Sequence, residues 1–600
     1  MSGSFDDKVK IREFDGGINT KQRKNKIDKN QQSSLINMDF SANSARRAKG
    51  YERLASADDD VDKSGKSLYK HTILDGQEVL IKVIGGIIKY LDEVDDKWYR
   101  IIDKTYSKRK RWAFETFNGY LYTNNGEDNW IRWNGSARSR NQNKLDSNST
   151  KIELKSGHGS RFPGSGTVLI QGLEIDYSSK NGDELEGINI NQTIETGNTV
   201  ILQADDSFDS VPKAKDLAYH NARMYMIEED NSNIVRHSKL ADNKNPEDDL
   251  IDFNIAGSGT GDAGFGILPD KAISLKEYIE GGDSSILAVL VKNGVGYSFS
   301  VTDSGNTTTN NFIPLRTMNT YPAARQMAII AENDIAIADN VGHIRALGYG
   351  DINTPLQVRS ISEEIEPSIE SIDFSVGDMV YYKRKLYVAG ANKTTDVPDT
   401  VFFRDAQYES WGLYDHWDVI SFAEYKDKLV GLSTIDGKVW ELEKGYSADG
   451  KPYSSEMVTK EFDFKRPHVF KEAIQLRLTG LITETTKAKF EVFFDNENDP
   501  TTFIIDGSKD KIILSSDPNV AIGNVVFGEA VYGGGLPGGT SRREFYGQAV
   551  LNSNDPFLKT SLKIRLDGSS IDFELNDLSM FVKLHNDGFW QKKASFNISN

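Results

Sequence analysis

The feature that most constrains this chain is a unit that keeps returning: an apolar run, a tight turn, a second run, a turn and a third run. "RWAFETFNGYLYTNNGEDNWIRWNG" (Arg111 to Gly135) carries it, with turns at Asn118-Gly119 and Asn125-Gly126. Asn-Gly between apolar runs marks a hairpin, because both residues tolerate positive φ. "GQEVLIKVIGGIIKYLDEVDDKWYRII" (Gly76 to Ile102) repeats the plan around Gly85-Gly86. Five further units start at Leu217, Ser284, Met327, Asp378 and Ile420. Long helical patterns are nearly absent. Several strands per unit, recurring about every 30–50 residues, predict an all-β chain built on a β-propeller of about seven blades.

Two stretches stand outside the rhythm. Residues 136–216 hold "GSGTVLIQGLEIDY", "GDELEGINI" and "GNTVILQ", short strands with glycine turns that read as a small β domain inserted between blades. From about Ser455, "KFEVFFDNENDPTTFII", "TSLKIRLDG" and "SIDFELNDLSMFVKL" alternate apolar and polar residues, the pattern of half-buried antiparallel strands. The expected organisation is therefore an N-terminal arm over 1–54, a propeller over 55–135 and 217–454, the insertion over 136–216, and a C-terminal β-sandwich over 455–600.

Several function classes are disfavoured. A net charge of -17 argues against a general nucleic-acid binder, which needs excess Lys and Arg. The absence of cysteine removes disulfides, thiolate metal sites and cysteine nucleophiles. No window of eighteen apolar residues exists, so no membrane insertion is expected. "MSGSFDDKVKIREF" has no apolar core of a signal peptide. The eight histidines (His71, His158, His220, His237, His343, His416, His468, His585) are scattered, with no pair at the i, i+4 spacing of a helical zinc site. "DDDVDKSG" (Asp58 to Gly65) begins like a calcium loop, but His71 stands where the bidentate Glu belongs. "GGGLPGGTSRR" (Gly533 to Arg543) lacks the Gly-Lys-Ser/Thr ending of a phosphate loop. "STIDGKVWEL" (Ser433 to Leu442) approaches the Asp-box of sialidase-type propellers at the wrong spacing, and reads as a hairpin with Trp440 in an inter-blade core. No catalytic residue, cofactor or metal is expected, and the chain reads as a non-enzyme.

The first fifty residues are distinctive. Residues 1–53 hold twelve Lys or Arg against seven Asp or Glu, on an otherwise acidic chain. "KQRKNKIDKN" has no interleaved aromatics for base stacking. A polar, basic stretch with little apolar surface orders only against a partner, and its charge suits an acidic neighbouring subunit. The candidate inter-subunit residues are Gly16, Gly17 and Ile18, the cations Lys21, Arg23 and Lys24, and the ending Arg46, Arg47 and Tyr51. "MDF" (Met38 to Phe40) is expected to enter the first blade or to close the propeller as an outer strand.

These residues also carry a resemblance. The motif Gly16-Gly17-Ile18-Asn19, then Asn37 and Asp39, then Arg46, Arg47, Gly50 and Tyr51, is similar to the opening of the tail nozzle or tail tubular B-like β-propeller proteins of short-tailed bacteriophages and their relatives. The insertion resembles a small β module of many phage tail proteins. "GKVWELEKGYSADGKPYSSEMVTKEFDFKRPHVFKEAIQLRLTG" resembles the point where such propellers hand over to a C-terminal β domain. The resemblance implies a structural component of the virion tail, made in the host bacterial cytoplasm, forming a hexameric ring around the DNA exit channel for genome ejection. Its implied partners are further copies of the chain, an upstream tail adaptor or portal-linked ring, and tail fibres or tip proteins. Genomic DNA would pass through without specific binding, past an acidic lumen. The family supplies no catalytic residues. A receptor-binding or fibre-attachment protein of the tail tip is the alternative, and a propeller glycosidase a more distant one.

Overall fold

The structure is a computed structural model describing residues 7–55, 64–241, 245–255, 262–280, 284–304, 307–317, 321–348, 357–395, 397–495, 500–508, 513–514, 520–527, 542–551, 557–568 and 571–584. Seven antiparallel sheets follow one another as blades. Blade one is Gly65–Thr72, Glu78–Ile84, Ile87–Asp92 and Lys97–Arg100, and blade two is Ala113–Phe117, Tyr120–Asn124, Trp130–Asn134 and Asp205–Phe208. Blades three to six begin with Ala214–His220, Ala272–Glu280, Ala328–Ala331 and Met379–Tyr382. Blade seven is Ser421–Tyr425, Lys428–Leu432 and Val439–Leu442, and its outer strand comes from the N-terminus, Tyr51–Arg53. The hairpins are those the glycines dictate. Asn118 and Gly119 have φ 48° and 78°, and Gly85 and Gly86 have φ 52° and 81°, the paired left-handed conformation of a two-residue turn that matches strand twist.

Each blade buries both faces against its neighbours. Ile81, Val83, Tyr90, Leu121, Ile131 and Trp133 fill the seam between blades one and two, and Tyr122, Trp130, Met224 and Met226 fill that between two and three. Burying each such side chain contributes roughly 1.5–3 kcal/mol. A polar belt near the axis adds direction to the apolar seams. Leu68 N donates to Ser421 Oγ (3.1 Å), Trp112 N to Ser67 Oγ (3.0 Å), Leu275 N to Asp216 Oδ2 (2.9 Å) and Phe422 N to Asp378 Oδ2 (2.9 Å). In each case a side chain on or just before one inner strand receives the backbone of an adjacent blade.

The blade count matches the repeat, but two units start one strand earlier than their apolar runs suggest. The inner strands of blades one and four, "GKSLYKHT" and "AISLKEYIE", are interrupted by His71, Lys276 and Glu277. Inner strands line a polar axis, so they lack the continuous apolar run of the strands behind them.

The insertion is also shorter than residues 136–216. Its strands run from Arg138–Arg140 to Thr199–Leu202, in a four-stranded and a three-stranded sheet around Leu145, Ile152, Val168, Ile170 and Leu185. Asp205–Phe208 then returns to blade two, pairing Trp130 with Phe208. Arg140 fixes the insertion to blade one through Asp95 (2.7 Å) and Asp92 (3.2 Å).

The C-terminal region is a two-sheet sandwich, and four of its strands are N-terminal. These are β1 (Asp7–Ile11), β2 (Gln32–Ile36), β3 (Met38–Ser41) and β4 (Ser44–Arg47); the blade-seven strand Tyr51–Arg53 is β5. One sheet places β1 and β4 along Phe573–Leu584, whose other edge pairs with Lys471–Thr483. The second runs from β2 through Tyr453–Thr459, Thr560–Gly568 and Lys487–Phe494 to Thr501–Asp506. The expectation that "MDF" joins a blade is therefore corrected. Met38–Ser41 pairs with β4 inside the sandwich, and Tyr51–Arg53 closes the ring. No helix is long and apolar enough to cross a membrane, among the described residues.

Candidate functional site: the N-terminal strap

Residues 14–54 form a strap along the junction of propeller and sandwich. It starts at the double glycine, where the chain crosses the last strand of blade six (Ser410–Tyr414). Gly17 has φ 60°, and a Cβ there would lie 2.5 Å from Trp411 O and 2.8 Å from Trp411 N. A Cβ on Gly16 would meet the Asn30 carbonyl at 2.8 Å. With both glycines the strap lies flat. Ile18 N donates to Trp411 O (2.9 Å), and Gln32 N donates to Gly17 O (2.8 Å). Asn19 Nδ2 donates to Gln31 Oε1 (3.0 Å), and Gln31 Nε2 donates to Glu364 Oε1 (2.7 Å). The Gly-Gly-Ile-Asn motif thus anchors the strap to blade six and to the turn that precedes it.

The loop after it returns through β2, which serves two masters. Ile36 pairs parallel with Leu413 of blade six, while Gln32 to Ile36 pair antiparallel with Thr459 to Glu456 of the sandwich. Propeller and sandwich therefore share one continuous eleven-stranded sheet. Asn37 turns the corner at φ 54°, with its amide donating to Asp415 Oδ1 (2.5 Å) and Ser454 O (2.7 Å), one from each side.

The β3–β4 hairpin brings two buried charges. Burial pushes the Asp39 carboxyl up, but Lys385 (3.4 Å), Arg46 (3.9 Å) and the Tyr414 hydroxyl outweigh it and hold the group below the usual carboxylate range. Arg47 is 1% exposed. Its Nη2 donates to Tyr453 O (2.6 Å) and Gly568 O (2.8 Å), and its guanidinium lies 4.1 Å from the Tyr453 ring centre. Burial lowers its pKa. Gly50 passes so close to Ser447 that a Cβ would sit 1.9 Å from its carbonyl oxygen. Tyr51 then packs on Trp440 at 5.0 Å, and burial raises its hydroxyl to about 12.

The inter-subunit assignment is corrected for most of its residues. Gly16, Gly17, Ile18, Arg47 and Tyr51 are buried by this chain's own blade six, blade seven and sandwich, which leaves them no surface to offer a neighbour. The partner that orders the stretch is the same polypeptide. Lys21 is exposed but pairs with Glu366 (3.1 Å), and Arg46 is exposed beside Asp39. Arg23, Lys24, Lys26 and Lys29 are exposed and have no ion pair among the described residues. Sequence reasoning did not single out Trp411, Glu364 or Tyr453, the receiving side of the strap, because nothing local distinguishes them from other blade residues.

The remaining motifs hold little chemistry. Ser433 Oγ donates to Asp418 (2.9 Å) and Gly437 (φ 65°) closes a hairpin, with Trp440 buried under Tyr51. Burial lowers His71 and His416 to about 3. Among the described residues no cluster of three His, Cys, Asp or Glu could hold a metal. Residues 58–63, 533–541 and His585 lie outside the described residues.

The fold and site define a seven-bladed β-propeller with an inserted β domain, locked to a β-sandwich by its own N-terminus. No family model and no curated protein matches the chain. Among solved structures it is similar to the β-propeller domain of Cps50 (Swd1) from Myceliophteria thermophila, at 6% identity over 65% of this chain and 99% of that one, with a TM-score of 0.33. It is also similar to YCF48 from Cyanidioschyzon merolae, at 9% identity over 66% of this chain and 98% of that one, with a TM-score of 0.30. The propeller assignment rests on the strand pairing and not on these likenesses.

Proposed function

We propose that this chain is a structural component of a phage virion tail, a rigid block that assembles into a ring around the DNA exit channel. The observation that carries the reading is where the tail-nozzle-like motif falls: Gly16, Gly17, Ile18, Asn19, Asn37, Arg47, Gly50 and Tyr51 are the residues that bind propeller to sandwich. A motif with that job suits a part that bears load and has no use for a cleft. The open cations Arg23, Lys24, Lys26 and Lys29 supply a contact for the acidic surface of the next copy. On this reading the lumen for DNA is formed between subunits, since Arg111 and Arg325 line the propeller's own axis around a cavity of about 310 Å³, far too small for a duplex.

Immunogold electron microscopy with an antibody to the sandwich tests this. Gold on the tail axis of intact virions is expected. Protein abundant in infected lysate but missing from virions refutes the reading.

A further inference from the structure

The axial cavity has an unbalanced lining. Arg111, entering blade two, and Arg325, entering blade five, reach into it, with Lys276 from the inner strand of blade four and the carboxylates Asp216 and Asp378. Both carboxylates are already engaged. Asp216 Oδ2 accepts from Ser274 Oγ (3.1 Å) and Leu275 N (2.9 Å). Asp378 Oδ2 accepts from Ser421 Oγ (2.7 Å) and Phe422 N (2.9 Å) and pairs with Arg111 (3.3 Å). Arg111 also donates to Ile420 O (2.8 Å) and Gly377 O, so its fork is filled.

Arg325 and Lys276 differ from it. Arg325 donates one hydrogen bond, from Nη1 to Lys215 O (3.2 Å). It has no ion pair among the described residues, and none of its nitrogens is sealed away without a partner, so its other donors open on the cavity. Lys276 has neither a hydrogen bond nor an ion pair among the described residues. Burial pulls Arg325 down to about 10 against the opposing pull of Asp216; the charge of Arg111 lowers it further, and Asp378 and Glu229 raise it. Burial and the charge of Arg111 lower Lys66 as well. Deeper, near Lys276, burial holds the Glu115 carboxyl up at about 7, so near neutrality it offsets the cations only in part. A desolvated guanidinium facing a cavity is costly unless an anion meets it, and Arg325 sits at the axis of a protein of net charge -17.

We propose that the axial cavity binds a compact oxyanion of the phosphate class, gripped by the free edge of Arg325 and by Lys276. The guanidinium fork matches two oxygens of such an anion, and the ammonium adds a point charge to a third. At about 310 Å³ the cavity has room for one phosphoryl group and none for a duplex. The inference stands whether or not the tail assignment holds.

Isothermal titration calorimetry of the full chain with inorganic phosphate, at fixed ionic strength in chloride and pH 6.5, tests it. One saturable site is expected, weakened at least tenfold in both Arg325→Gln and Lys276→Gln. Lys276 makes no bond that the fold uses, so K276Q keeps the test valid if R325Q misfolds; circular dichroism checks both. A nucleoside 5′-monophosphate titrated in parallel assigns the source. Tighter binding than phosphate identifies a nucleotide phosphoryl group, weaker binding identifies the free ion, and either supports the site. No saturable heat with either probe, or binding unchanged in K276Q, overturns the proposal.

Discussion

Replacing Gly17 with alanine tests whether the strap holds the molecule together. The cost has two parts. Gly17 sits at φ 60°, and an L-residue in the left-handed region pays about 1–2 kcal/mol. The new Cβ would also lie 2.5 Å and 2.8 Å from backbone atoms of Trp411, which belong to a strand paired on both sides and cannot retreat. The strap must lift instead, stretching the Ile18 N to Trp411 O bond of 2.9 Å in a buried setting. That adds about 1–3 kcal/mol, for a total of about 2–5 kcal/mol. Gly76→Ala is the control: Gly76 has φ 81° with nothing within 4 Å of its Cβ, so only the conformational part applies. Urea unfolding followed by tryptophan fluorescence compares the two, with Trp411 itself a reporter. G17A should lose about 1–3 kcal/mol more than G76A. Equal losses would show that the close approach to Trp411 contributes nothing, and the account of the double glycine would fail.

Other consequences are open to measurement. Glu52 and Glu441 face each other across the closing strand in a chain without cysteines; E52C/E441C should form a disulfide on oxidation and stabilise by about 2–4 kcal/mol, read as a higher thermal midpoint, and failure to cross-link would refute the register. Burial raises Glu115 to about 7 in the folded state from 4.5. The unfolded chain therefore binds fewer protons between those values, and stability should fall as pH rises through that window. Glu115→Gln should flatten the profile; unchanged pH dependence of the urea midpoint would refute this. On the proposed ring assembly, reversing Arg23 and Lys24 to glutamate should abolish self-association in sedimentation velocity while the circular dichroism of the monomer stays unchanged. Intact rings in that variant would exclude the basic loop as the subunit contact.

How much of this could be read beforehand depended on distance along the chain. Asn118-Gly119 and Gly85-Gly86 specify their hairpins locally, and the seven units follow from them. The alternation from Ser455 onward specifies strands with one buried face. What local pattern does not carry is the identity of a strand's neighbour. Tyr51–Arg53 meets Leu442 to Trp440, β2 meets Thr459 to Glu456, and Asp205–Phe208 resumes blade two after the whole insertion. Each of these strands is short and half polar, because it completes a sheet whose core face is already supplied by others. The basic stretch was legible as something that needs a partner. Arg47 shows why the partner was misjudged. Its charge reads as surface, yet it is buried because two carbonyls and the Tyr453 ring, all some four hundred residues or more away, replace its water.

The closing strand also sets a timetable. Residues 51–53 leave the ribosome early, but their partners at 440–442 follow about 390 residues later, or about 20–80 s at about 5–20 residues per second. Throughout that interval the nascent chain carries an orphaned edge at its front, and six blades accumulate with no way to complete the circle. The first fifty residues are thus the last to find their place. A ribosome stalled anywhere in the propeller should display them to protease, while a released chain should conceal them.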